Sequence, residues 1–113
     1  LQVEKNGNTL IVLPTGEIDF GNSHQLKDAI KERLDASIQG VLMDLSRVSF
    51  IDSTGAAVFI SLIKILTPRK GELVACSLQE DVRFVFSASR LDSILQIFPS
   101  RQQALEYLKA RDM

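Results

Sequence analysis

The chain has 113 residues, 45% hydrophobic and 24% charged, which suits one globular domain with a single core and excludes a disordered chain. Its 13 basic and 14 acidic residues leave a net charge of −1, so no basic field exists to draw nucleic acid or an anionic membrane. With one cysteine (Cys76) and one histidine (His24), an internal disulfide and a Cys/His metal cluster are excluded, and Cys76 is expected to be a small buried thiol in a reducing compartment.

"LQVEKNGNTLIVL" opens the chain as a hairpin. Residues 2–5 and 9–13 flank Asn6-Gly7-Asn8, and Asn-Gly tolerates the positive φ that a tight hairpin needs. The first of these strands is polar enough for a sheet edge. "PTGEIDFGNS" reads as a loop, after which Asn22 or Ser23 caps a helix with the apolar stripe Leu26, Ala29, Ile30 and Leu34. Residues 41–45 read as a buried strand entered after Gly40. A second helix runs from Ser53 to about Thr67; it is apolar nearly all round, so it is predicted to be the most buried helix, and Pro68 and Gly71 end it.

Residues 72–77 form the next strand, and "LQEDVRFVFSAS" a helix with Val82, Val85 and Phe86 inward. "SILQIF" is a short strand. "SRQQALEYLKARD" is a last helix, with Ser100 as N-cap and Ala104, Leu105 and Leu108 inward. Phe50 and Ile51 are expected in the core. His24 is expected on a helix surface, and one of Phe84 and Phe86 is expected to be exposed. The longest apolar stretch, residues 55–66, is interrupted by Ser61 and Lys64 and is shorter than the ~20 residues of a membrane span. A soluble, cytoplasmic domain without direct membrane contact follows as the expectation, and the start at Leu1 points to a module cut from a longer protein.

The order β-β-α-β-α-β-α-β-α predicts one α/β domain over residues 1–113: a mixed, mostly parallel sheet of about five strands, with the first strand antiparallel. Right-handed crossovers between strands added in one direction put the helices mainly on one face; a doubly wound sheet is the alternative. Partners and ligands of such sheets meet the loops at the carboxyl ends of the parallel strands. Two loops are expected to meet there, carrying Glu17, Asp19, Ser23, Asp52, Ser53 and Thr54.

Asp52-Ser53-Thr54-Gly55 by itself reads as a helix N-cap. A cap does not need four such residues, however, and Gly55 costs a helix about 1 kcal/mol relative to Ala, which points to a close backbone approach. Three chemistries compete for Ser53. A nucleophile needs a base, and the sequence offers no Ser/His/Asp or Ser-x-x-Lys arrangement. A phosphate cradle needs G-x-x-x-x-G-K-[ST] or G-x-G-x-x-G, and neither occurs. A phosphoacceptor needs only exposure at a helix start, because a kinase supplies the rest.

"LPTGEIDFGNSHQLKDAI", "GVLMDLSRVSFIDSTGAAVFISL", "KGELVACSLQEDVRFVF" and "LDSILQIFPSRQQAL" together resemble the STAS domain (sulfate transporter and anti-sigma factor antagonist), within it the bacterial anti-sigma-factor antagonists. The resemblance spans essentially the whole chain and implies the one-sided sheet. It implies phosphorylation of Ser53 by the anti-sigma factor, itself a serine kinase, and a match of Asp19 to the family's acidic residue after the second strand. Partner contacts are expected at Asp19, Asp52, Thr54 and Gly55. No catalytic residue, metal or cofactor is expected in this chain, since ATP and magnesium would belong to the kinase. A phosphatase would reset the switch. Ala56 and Ala57 stand where the family often has leucine and glycine.

The implied function is an antagonist that binds the anti-sigma kinase when unphosphorylated and is switched off by phosphorylation. The alternative is a non-switching STAS scaffold module of a larger stress-sensing, transporter or lipid-transport protein. A small hydrolase using Ser53 is opposed by the missing base.

Overall fold

The structure, a computed structural model, describes residues 1–111; Asp112, the end of the predicted last helix, lies outside them. β1 (Gln2–Asn6) and β2 (Thr9–Leu13) form the predicted hairpin, with Asn6 opposite Thr9. That register makes Gly7 and Asn8 the turn residues, and of the two only Gly7 takes a positive φ, 62°. β1 is an edge strand, as its polarity requires, and Glu4 and Lys5 on it discourage pairing with another chain.

The main sheet adds β4 (Gly40–Asp44), β6 (Glu72–Cys76) and β7 (Gln96–Phe98), each parallel to its neighbour, in the order β1-β2-β4-β6-β7. Strands are thus added in one direction, and right-handed crossovers carry α1 (Ser23–Lys31), α2 (Ser53–Leu66) and α3 (Glu80–Ala88) to the same face. There Leu26 and Ile30 of α1, Phe59 and Leu62 of α2 and Val82 and Phe86 of α3 pack on Leu10, Val12, Val41, Met43, Leu73 and Ala75. Phe59 and Phe86 meet edge to face, with centroids 5.2 Å apart, locking α2 to α3. α2 buries six residues against three in α1 and two in α3, so it is the most buried helix, as its composition predicts.

α4 (Arg101–Arg111) follows the last strand and covers the other face. Ala104 and Leu108 pack on Ile11, Leu42, Val74 and Cys76. Covered on both faces, β2 and β4 are buried throughout, which is why they read as unbroken apolar runs rather than alternating ones. Ser100 caps α4 through its hydroxyl, which accepts from Gln103 N–H at 3.2 Å. Cys76 is wholly buried, and burial pushes its thiol up to about 11, so it stays protonated.

Asp44 is the one buried carboxylate among the described residues, at 5% exposure. Desolvation opposes its charge, but Ser46 N–H at 3.0 Å, the Ser46 hydroxyl and Arg101 Nε at 2.9 Å outweigh it and hold the carboxyl below its ordinary range. The folded pKa is depressed, so this contribution is present above the unfolded Asp value of about 3.9 and is lost as pH falls through the folded one. Arg101→Ala is expected to lower stability at pH 7 by about 1–2 kcal/mol, discounted for the partial exposure of the guanidinium. The gap from wild type should close as melts are taken at decreasing pH below about 4. A gap that persists at pH 2 would place the effect in packing instead.

Five local readings change on folding. Residues 16–18, expected as loop, form β3 (Gly16–Ile18), which pairs in parallel with β5 (Val48–Ile51) as a separate two-stranded ribbon. Phe50, expected in the core, is 42% exposed, because Val48 and Ile51 take the buried positions of β5 while Phe50 faces out; Ile51 is buried as expected. The first helix stops at Lys31, which leaves Leu34 half-buried beyond its end. Leu66 is followed by a 3₁₀ turn, Thr67–Arg69, and Lys70 rather than Gly71 takes the left-handed conformation, φ 58°. Gly71 is needed for space: a Cβ there would stand 2.6 Å from the Gln39 carbonyl oxygen. The strand expected from "SILQIF" shortens to β7, after a 3₁₀ turn at Leu91–Ser93. Phe86 is wholly buried and Phe84 is 73% exposed, and His24 is exposed, as expected.

Candidate functional site

The ribbon β3–β5 brings the two acidic loops together. Both strands run the same way, so their carboxyl ends arrive side by side: Ile18 leads into residues 19–22 and α1, Ile51 into Asp52 and α2. Asp52 N–H donates to the Ile18 carbonyl at 3.1 Å and closes the junction.

Asp52 is the N-cap of α2, with extended backbone (φ −102°, ψ −173°). Its Oδ1 accepts from Gly55 N–H at 2.8 Å and from the Thr54 hydroxyl at 2.6 Å. Oδ2 reaches across to the other loop and accepts from Phe20 N–H at 3.1 Å. One carboxylate therefore caps the helix and ties the two loops. The Thr54 hydroxyl and the Gly55 N–H, with smaller help from Phe20 N–H, hold its carboxyl below the usual range against desolvation, so Asp52 is an anion at neutral pH. Thr54 is thereby a partner of the cap.

Ser53 is the first residue of α2, exposed, and among the described residues its hydroxyl has no hydrogen-bond partner. It stands at the N-terminus of α2, where an added anion is favoured by the helix dipole. His24 and Thr54 both line a shallow groove of about 200 Å³ between α1 and α2, but no hydrogen bond joins the imidazole to Ser53.

Gly55 is buried because β3 runs directly over it. A Cβ at Gly55 would strike the Ile18 carbonyl oxygen and lie 3.0 Å from Ile18 Cγ2. The close approach expected from the sequence is thus made by a neighbouring strand within the fold. Ala56 is buried beside it, whereas Ala57 is exposed on the groove.

Asp19 is half-buried and organises its own loop. Its Oδ1 accepts from Gly21 N–H at 2.9 Å, and its carbonyl accepts from Asn22 N–H at 3.1 Å and Ser23 N–H at 2.8 Å. Asn22 makes no side-chain cap bond to α1; its Oδ1 accepts from Asp19 N–H at 2.9 Å and its Nδ2 donates to the Glu17 carbonyl at 2.7 Å. Ser23 is buried at the helix start. Glu17 is exposed, opposite Phe50 in the ribbon. The corner thus collects Asp19, Asp52, Ser53, Thr54 and Gly55 at one end of the ribbon. Phe20 joins them; an aromatic between Asp and Gly in a polar loop is its sequence signal.

The fold is of the STAS type. The solved structure of the anti-sigma factor antagonist SpoIIAA in its unphosphorylated form superposes with a TM-score of 0.84 (20% identity, 96% of each chain), and the Bacillus SpoIIAA structure in the phosphorylated form with 0.74 (20% identity, 94% of this chain and 96% of that one). The chain belongs to the STAS domain family, whose profile matches residues 1–104. Its sequence relatives include BtrV of Bordetella bronchiseptica, named provisionally as an anti-sigma factor antagonist (33% identity, 96% of this chain and 94% of BtrV). Another is the anti-sigma F factor antagonist of Paenibacillus polymyxa (26% identity, 96% and 94%). Among the described residues no helix is long and apolar enough to cross a membrane.

Proposed function

We propose that residues 1–113 act as a single cytoplasmic STAS domain that antagonises an anti-sigma factor and is switched by phosphorylation of Ser53. The unmodified protein binds an anti-sigma factor that is also a serine kinase, and so releases the sigma factor. Transfer of the ATP γ-phosphoryl group to Ser53 Oγ leaves ADP and a phosphoserine, with the hydroxyl proton passed to the kinase; a phosphatase hydrolyses the ester back to serine and inorganic phosphate. ATP and magnesium belong to the kinase. The domain itself binds rather than catalyses, without cofactor, nucleic acid or direct membrane contact. Partner contacts fall on Asp19, Asp52, Thr54 and Gly55.

The observation that carries this reading is the exposed Ser53 hydroxyl, without a partner at the first position of α2, beside a carboxylate fixed as an anion. The names of the relatives support the antagonist part. The test is intact-mass and peptide-mapping analysis of the protein purified from its own host with phosphatase inhibitors present. A phosphate on Ser53, absent from a Ser53→Ala variant, is the expected result. No phosphate across several growth and stress conditions would sink the switch and leave the corner as a helix cap on a scaffold module.

A further inference from the structure

Phe20 is the most exposed large apolar side chain among the described residues, at 81%. Its loop is nevertheless held firmly. The three consecutive N–H groups of Asp19, Phe20 and Gly21 each donate to a side-chain oxygen, those of Asn22, Asp52 and Asp19 respectively, at 2.9, 3.1 and 2.9 Å. The backbone under the ring is thus satisfied and fixed, and only the ring projects into water. An exposed aromatic on a fixed backbone gives a partner a large apolar contact with no loop left to order on binding, the usual property of a binding hot spot.

The location names the occupant. Phe20 N–H sits on the same carboxylate that caps α2 beside Ser53, so a protein docked over the Ser53 hydroxyl lies next to the loop that carries the ring. Glu17, Asp19 and Asp52 flank this corner with negative charge, which a cationic rim on the partner would match. We propose that Phe20 is the aromatic anchor of the anti-sigma kinase interface, buried on docking in an apolar pocket of the kinase bordered by Arg or Lys side chains. This rests on the function proposed above and adds to it the residue that supplies affinity, as distinct from Ser53, which switches it.

The test is calorimetric titration of the full chain, as wild type, Phe20→Ala, Phe20→Leu and Ser53→Asp, into the purified anti-sigma kinases of the host, with thermal melts of each variant. Phe20→Ala is expected to weaken binding roughly tenfold or more with a melting temperature close to that of wild type, because the ring buries little in the free protein. Phe20→Leu, which keeps an apolar side chain, should recover most of the loss. Binding of Phe20→Ala within twofold of wild type, while Ser53→Asp still loses binding, would overturn the anchor and leave the switch standing. A wild type that binds none of the kinases would overturn both.

Discussion

Ser53→Asp is expected to fold normally and to lose affinity for the anti-sigma kinase on the order of a hundredfold. The fold is safe because position 53 is the first residue of α2 and is exposed, and a negative group there is favoured by the helix dipole. The binding loss has a different source. The neighbouring Asp52 is already held as an anion, and Asp19 lies in the loop tied to it through Phe20 N–H. On the function proposed above, the partner closes over a neutral hydroxyl, and burying an added charge at position 53 carries a desolvation cost that the hydroxyl does not. Phosphoserine, at about −1.5 to −2 charges, should have a larger effect than the single charge of aspartate. Circular-dichroism melts and calorimetry decide the matter together: tight binding retained by a normally folded Ser53→Asp would defeat the switch.

For Gly55→Ala, even the sign of the effect distinguishes two accounts of the same residue. If Gly55 were only a poor helix former in a cap, alanine would stabilise α2 by roughly 1 kcal/mol. The structure predicts the opposite, since the added methyl would collide with the Ile18 carbonyl oxygen and crowd Ile18 Cγ2. That carbonyl cannot turn away freely because it accepts the Asp52 N–H across the ribbon. Either β3 or the start of α2 must shift, so the expected outcome is a net loss of about 1–3 kcal/mol, on the order of 5–10 °C in Tm. Because the displaced strand leads directly into Asp19 and Phe20, kinase binding should fall as well. A Gly55→Ala protein with a raised Tm would show that the ribbon relaxes and that the glycine is not there for close approach.

Much of the architecture was legible because its signals are local. The Asn-Gly turn, the continuous apolar runs of β2 and β4, the helical stripe of α1 and the near-uniform apolarity of α2 each follow from period and composition within a few residues. Chain order and the handedness of crossovers then place three helices on one face. The side of α4 did not follow, since no later strand constrains where a final helix returns; its apolar residues settle on the sheet face the others leave open.

What escaped the sequence depends on pairings over long separations. β3 has only three residues, with Gly16 at φ 91°, and it is a strand solely because β5 lies beside it. The same ribbon turns Phe50 out to solvent, although an apolar run leading into a buried helix reads as core. Asn22 has the chemistry of an N-cap and spends it on the loop behind it, because Asp19 N–H and the Glu17 carbonyl lie within reach.

At the candidate site the division is the same. The sequence by itself determined that α2 begins with an aspartate cap followed by a hydroxyl and a glycine, because cap chemistry is a matter of three or four neighbouring residues. Only the tertiary structure decided that the second oxygen of Asp52 holds Phe20, 32 positions earlier, and that Gly55 lies under Ile18. Both contacts exist only once β3 and β5 are paired, and no local propensity encodes the distance between residues that meet through a strand pairing.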